Sequence, residues 1–152
     1  MRSAMIRAIV DTLNVFPQSL LQLLMRIAIV PVFWRSGWGK LENMEQAIGL
    51  FREEYKLPIL PPGLAAYLGT AVELAAPALI LVGLATRLAT LPLIALTLTI
   101  QFLVYPVSYP DHLLWFAILV FILTRGPGPI SIDALLASHT EPSSAAVYGR
   151  PR

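Results

Sequence analysis

The sequence predicts an all-α fold, a polytopic membrane protein built as a four-transmembrane-helix bundle with two amphipathic interfacial helices. Three observations lead there. Apolar residues are 57% of the 152 and charged residues 13%, against about 45–50% and about 25% in an ordinary soluble domain. A globule of this size leaves roughly a third of its unfolded surface in water, more than so few charges can solvate, so lipid must be the solvent for most of the chain. The mean hydropathy of +0.70 agrees. Second, the apolar windows reach the length of about 20 residues that crosses a bilayer. Third, the breaks between them carry proline and glycine.

Each element follows in chain order. Residues 1–17 read as an N-terminal interfacial helix, with Met5, Ile6, Ile9, Val10 and Leu13 opposite Arg2, Arg7, Asp11 and Asn14. It is not read as a cleaved leader, because the run that follows has full span length, contains Arg26 and ends without a small-residue cleavage site. The first span is expected over Gln18–Trp38. Met44, Ala47, Ile48, Phe51 and Tyr55 then share one helical face opposite Glu45, Gln46, Arg52 and Glu53, the second interfacial helix. It either floats on the headgroups or caps a cavity.

Leu60-Pro61-Pro62-Gly63 opens the second span, Gly63–Leu84, and the third follows over Arg87–Tyr105. Pro106 and Pro110 are expected to bracket a loop before a short fourth span, Asp111–Thr124. Gly126-Pro127-Gly128-Pro129 stops that span, and Ser131 is placed to cap a short helix carrying Asp133. The membrane domain is thus 18–136, and 137–152 is expected to be a polar, disordered tail on the same side as the N-terminus.

Charge sets the expected orientation. Arg2, Arg7, Arg87, Arg125, Arg150 and Arg152 gather on the side of the termini, against Arg35, Lys40, Arg52 and Lys56 on the other, which favours cytoplasmic termini. Trp34, Trp38, Tyr105, Tyr109 and Trp115 then read as an aromatic belt at the outer interface. The net charge of +2 is spread thinly, as topology requires and nucleic-acid binding does not. The absence of cysteine excludes thiol chemistry and cysteine-bound clusters within this chain, and two histidines, His112 and His139, make a metal site or a clamped haem improbable.

Polar residues inside the spans are the candidates for function. Arg26 and Glu73 are each about ten residues into their spans and are expected to pair near mid-membrane. Such a pair either only holds two helices in register, or gives Arg26 to an anionic or carbonyl-bearing ligand and Glu73 to a proton relay. Pro31 and Pro77 each remove an amide donor close by, so a kink and a cavity are expected there. Arg26, Val30, Phe33 and Gly37 share the face leading outward from the charge. Gln101 either bonds a neighbouring helix or faces the same space, and His112, beside Asp111, either sits solvated at a helix start or exchanges a proton there. Arg35, Lys40 and Arg87 lie near span ends, where snorkelling is expected.

An arginine in the first span, Gly37-Trp38-Gly39-Lys40-Leu41 at its end, Glu73, Gly83-Leu84-Ala85-Thr86-Arg87, and Gly126 to Asp133 after the fourth span together resemble the DoxX family, over roughly Leu20 to Leu136. The resemblance implies a small four-helix protein of the bacterial inner membrane with cytoplasmic termini. It also implies association with redox chemistry, since family names derive from subunits of a quinone-linked oxidoreductase of sulfur metabolism and some relatives are linked to oxidative-stress complexes. The Pro110 to Trp115 stretch looks like that of relatives encoded beside metal-stress peptide-modification genes. No catalytic set or intrinsic cofactor site maps onto the chain. The leading expectation is an accessory subunit of a quinone-linked redox or stress-response system, with Arg26 and Gln101 donating to a bound quinone and Glu73 or His112 handling protons. The alternatives are a membrane anchor or scaffold for a soluble partner and, less favoured, a small transporter that would need a homo-oligomer.

Overall fold

The computed structural model describes residues 5–7 and 15–140. Most of the expected N-terminal interfacial helix and the tail beyond 140 lie outside the described residues; Met5–Arg7 are helical and exposed. The described residues are helical without a strand, and four helices are long and apolar enough to cross a membrane. Helix α1 runs Gln18–Glu42, α2 Met44–Leu50, α3 Pro62–Val82, α4 Thr86–Thr99, α5 Tyr109–Arg125 and α6 Ile132–Thr140. A π-helical turn, Phe51–Tyr55, extends α2, another, Ile100–Val104, extends α4, and a 3-10 turn, Pro106–Ser108, leads into α5.

Two boundaries differ from expectation for one reason. Proline is tolerated in the first turn of a helix, where its missing N–H has no intrahelical partner. Pro106 and Pro110 therefore open helical segments where a loop was expected. The fourth span consequently runs Pro106–Arg125 and is not short. Helix α1 likewise continues past Trp38 to Glu42, which has consequences for Lys40.

The core lies between all four spans: Ile29, Val30 and Phe33 of α1, Ile80 of α3, Leu93 of α4, and Leu119 and Ile122 of α5 are buried together. The expected face of α1 is real, since Arg26, Val30, Phe33 and Gly37 are all buried. It leads into packed side chains: Phe33 meets Trp115, and Gly37 lies against Glu73 and Leu74. Two buried hydroxyls of this core are satisfied within their own helix, as lipid surroundings favour: Thr90 and Thr97 donate to the carbonyls of Thr86 and Leu93, both four residues back, whereas the buried Thr86 hydroxyl has no partner among the described residues. Trp115 is also not a surface belt residue. Its ring meets Phe33 edge-on at 5.9 Å and lies 5.1 Å from the His112 ring, on the inner side of α5.

The interfacial helix forms with the expected face inward. Ala47 and Phe51 are buried with Ala65 and Ala66 of α3, and Met44, Ile48 and Tyr55 pack around them. Asn43 caps it, accepting from the Gln46 amide at 3.0 Å. This helix covers the end of the bundle opposite the start of α1 at Gln18, called here the far end.

Candidate functional site: polar clusters at the two ends of the bundle

The buried polar residues form three clusters, and their grouping differs from the expected one. Arg26 does not pair with Glu73. The first two spans are antiparallel but staggered, so that Gly37 of α1 lies against Glu73 and Leu74 of α3, while Arg26 lies against Ile80 and Leu81. Eleven residues of α1 at 1.5 Å each separate Arg26 from that level by about 16 Å. Counting residues inward from each span end gave both side chains the same depth. The stagger removes that equality.

Arg26 instead closes the opposite end, where α3 ends and the turn before α6 lies. Its Nε donates to the Ile80 carbonyl at 2.8 Å and one Nη to Leu81 at 2.5 Å, both at the C-terminus of α3. The other Nη donates to Pro127 at 3.0 Å and Ile130 at 2.6 Å in the turn between α5 and α6. Helix C-termini leave carbonyls unpaired and carry partial negative charge, so a buried guanidinium is stabilised there without a carboxylate. Gly83 ends α3 at φ +73°, and a Cβ on it would run into Ser131 and approach Arg26 to 2.9 Å. Asp133 completes this end by accepting from the Ala85 and Thr86 amides, at 2.7 and 3.0 Å, at the start of α4. Burial pushes the Asp133 carboxyl up, but the Thr86 and Ala85 hydrogen bonds, with Arg26 nearby, outweigh it and hold the group below its ordinary value. Ser131 caps α6 as expected, accepting from the Ala134 amide. The Arg26 guanidinium and the Asp133 carboxylate are both held by the chain itself, while the buried Thr86 hydroxyl beside them has no partner among the described residues.

The second cluster is at the far end. Glu73, only 3% exposed, is paired with Lys40, whose Nζ reaches its carboxylate oxygens at 2.7 and 2.5 Å. Ser36 donates to the same carboxylate at 3.2 Å and accepts from Lys40 at 2.8 Å. Lys40 does not snorkel: α1 is long enough to carry it onto the Ser36 face, one turn on. The approach depends on Gly37, because a Cβ there would be 2.9 Å from that of Glu73. Nearby, Tyr105 donates to Glu54 at 2.6 Å, and the Tyr55 ring stands perpendicular to that of Tyr105. The Glu54 hydrogen bond raises the Tyr105 phenol above its ordinary value, and burial raises that of Tyr55, so both stay neutral.

The third cluster joins α4 to α5. The Gln101 amide nitrogen donates to the Pro106 carbonyl at 3.0 Å, and its oxygen lies 2.8 Å from His112 Nδ1. A carbonyl can only accept, which fixes the amide orientation and hence the ring tautomer. His112 Nδ1 carries a proton towards Gln101, and in the neutral ring Nε2 keeps its lone pair. Both residues line a groove of about 320 Å³ whose other walls include Thr97, Phe102, Leu113 and Phe116. Phe102 and Leu113 are exposed on the lipid-facing side of the bundle. Gln101 lies in the π-helical turn that extends α4, a departure from regular helix that is frequent at functional sites. Gln101 thus bonds a neighbouring helix and also faces a cavity, but that cavity is not shared with Arg26.

The family model DoxX matches residues 21–106, more than half of the chain. The chain belongs to the DoxX family. No curated protein and no solved structure matches it. The matched DoxX segment holds Arg26, Lys40, Glu73 and Gln101; His112, the Gly126–Pro129 turn and Asp133 lie beyond it. Among the described residues of this DoxX protein, no group of three or more His, Asp or Glu is arranged to hold a metal ion. Sequence reasoning missed Lys40 as the partner of Glu73. The available signal was the Ser36, Gly37, Lys40 spacing, which puts a hydroxyl, a gap and a cation on neighbouring positions of one helix face.

Proposed function

We propose that this DoxX-family membrane protein is an accessory subunit of a quinone-linked redox system of the bacterial inner membrane, with cytoplasmic termini, and that a quinone or quinol ring enters it from the lipid between α4 and α5. The observation that carries the reading is the His112–Gln101 pair lining an apolar groove of about 320 Å³, within the range of about 300–1,000 Å³ typical of small-molecule sites. A ring the size of a quinone needs apolar walls and very few polar contacts. With Nδ1 directed to Gln101, the His112 Nε2 is the ring atom left to accept from a quinol hydroxyl. In this reading a partner protein carries out the electron transfer, and the chain has no cysteine with which to hold an iron–sulfur cluster.

The quinone and redox assignment also draws on the family resemblance; the groove by itself supports a small, mostly apolar ligand with one or two polar atoms. Arg26, Glu73 and Lys40 have no direct part in it, because the backbone and one another already take up their hydrogen bonds. The test is to purify the protein from its native membrane in mild detergent, extract bound organic molecules and analyse both extract and co-purifying proteins by mass spectrometry. A stoichiometric quinone that is lost from His112→Phe but retained by Arg26→Lys supports the reading. A soluble non-redox partner with bulk phospholipid alone would favour the anchor reading instead.

A further inference from the structure

Two adjoining cavities at the far end lie outside the groove and share Arg35 and Gly39. One, of about 350 Å³, opens between the end of α1 and the interfacial helix α2, and its polar lining comes from Arg35, Ser36, Lys40, Asn43, Gln46 and Tyr55. The other, of about 530 Å³, is framed by Trp34, Trp38 and Glu42 on the lipid-facing side of α1. Their polarities are complementary. The first has two cationic residues and no carboxylate in its lining; of the two, Lys40 is paired with the buried Glu73 and Arg35 is not. The second is mostly indole surface, and its acid, Glu42, accepts from Trp38 Nε1 at 2.7 Å.

Within the first cavity the donors outnumber the acceptors. The Arg35 guanidinium makes no hydrogen bond or ion pair with a described residue. Asn43 uses its oxygen to cap α2, which leaves its NH₂ group to the cavity. Gln46 engages only its backbone N–H in that cap. Gly39 lies at the junction, and a Cβ built there meets no atom within 4 Å, so the two spaces communicate over an open surface.

We propose that these cavities together bind a phospholipid of net negative headgroup charge, with its phosphate on Arg35 and the Asn43 and Gln46 amides and its glycerol and first acyl carbons along Trp34 and Trp38. An anion with a hydrophobic body fits a donor-rich cationic pocket that continues into an aromatic one at the membrane surface. A zwitterionic headgroup would bring its own ammonium against Arg35. The site is independent of the quinone reading, and it gives the interfacial helix a role as one wall of a lipid site.

The test is native mass spectrometry of the purified full chain exchanged against phosphatidylglycerol and phosphatidylcholine of identical acyl chains, with Arg35→Gln and Gly39→Leu as variants. Each basic residue near a headgroup contributes about 1 kcal/mol, which is about fivefold. With Lys40 already paired to Glu73, phosphatidylglycerol is expected to be retained about fivefold or more over phosphatidylcholine. Arg35→Gln is expected to weaken its retention about fivefold, and Gly39→Leu to weaken it with no change of charge. Because Gly39 faces open space, that variant keeps its thermal midpoint, which separates blocking from misfolding. Equal retention of the two lipids, undiminished retention in both variants, or displacement of the lipid by inorganic phosphate alone would overturn the proposal.

Discussion

Replacing Arg26 by glutamine should unfold the protein more than it alters any binding site. The guanidinium makes four hydrogen bonds of 2.5–3.0 Å, two to the end of α3 and two to the turn before α6. A glutamine amide on α1 can reach one of those carbonyls and leaves three. Hydrogen bonds to charged groups contribute about 1.5–3 kcal/mol each, so the loss is about 4–9 kcal/mol before water or lipid headgroups re-pair the carbonyls. Even half of that is a large share of the roughly 5–15 kcal/mol that holds a protein folded. Arg26→Lys should fall between, because a single ammonium cannot span two separate segments as a planar fork does. The assay is fluorescence-detected size exclusion of a tagged protein in mild detergent after stepwise heating. Arg26→Gln is expected to lose most of its monodisperse peak already at low temperature. A wild-type peak and midpoint together with abolished quinone binding would refute the reasoning and return Arg26 to a ligand.

Three further outcomes follow from the same geometry. Lys40→Met should destabilise by about 3–5 kcal/mol, because it leaves the Glu73 carboxylate buried without its cation; Lys40→Met with Glu73→Met should recover most of the loss in the same heating assay. Gly37→Ala should cost about 1–3 kcal/mol by forcing α1 away from Glu73 and Leu74, whereas Gly39→Ala should leave the midpoint unchanged. Asp133 has its folded-state pKa depressed below an unfolded value of about 3.9. Its contribution is therefore complete above about pH 4 and is lost as pH falls through the folded value. Asp133→Asn should lack that part of the acid slope when melting midpoints are compared between neutral pH and pH 3.

The four spans were legible because hydropathy and length depend on composition alone, and Arg26, Glu73, Gln101 and His112 stood out because polar groups are costly in lipid. Their partners were less legible. Pairing between antiparallel helices depends on stagger, and stagger is set by where small residues permit close approach. Gly37 made that choice, bringing Lys40 to Glu73 and leaving Arg26 to meet the carbonyls beyond Ile80. Pro106 and Pro110 misled because proline both breaks helices and starts them, and only the surrounding chain decides which. The Gln101–His112 pair required a helical first turn at that point, so it was hidden by the same ambiguity. Ser131 and the interfacial face at Met44, Ala47, Ile48 and Phe51 were readable because capping and amphipathicity are local in sequence.

The most direct test of the central claim, that the ligand groove lies between α4 and α5 at the far end, is photolabelling of the purified protein with an azido-quinone followed by peptide mapping. Label is expected within residues 97–116, competed by unmodified quinone and lost in His112→Phe. Competed label in the peptides around Arg26 and Pro127, or none anywhere in a folded protein, would contradict it.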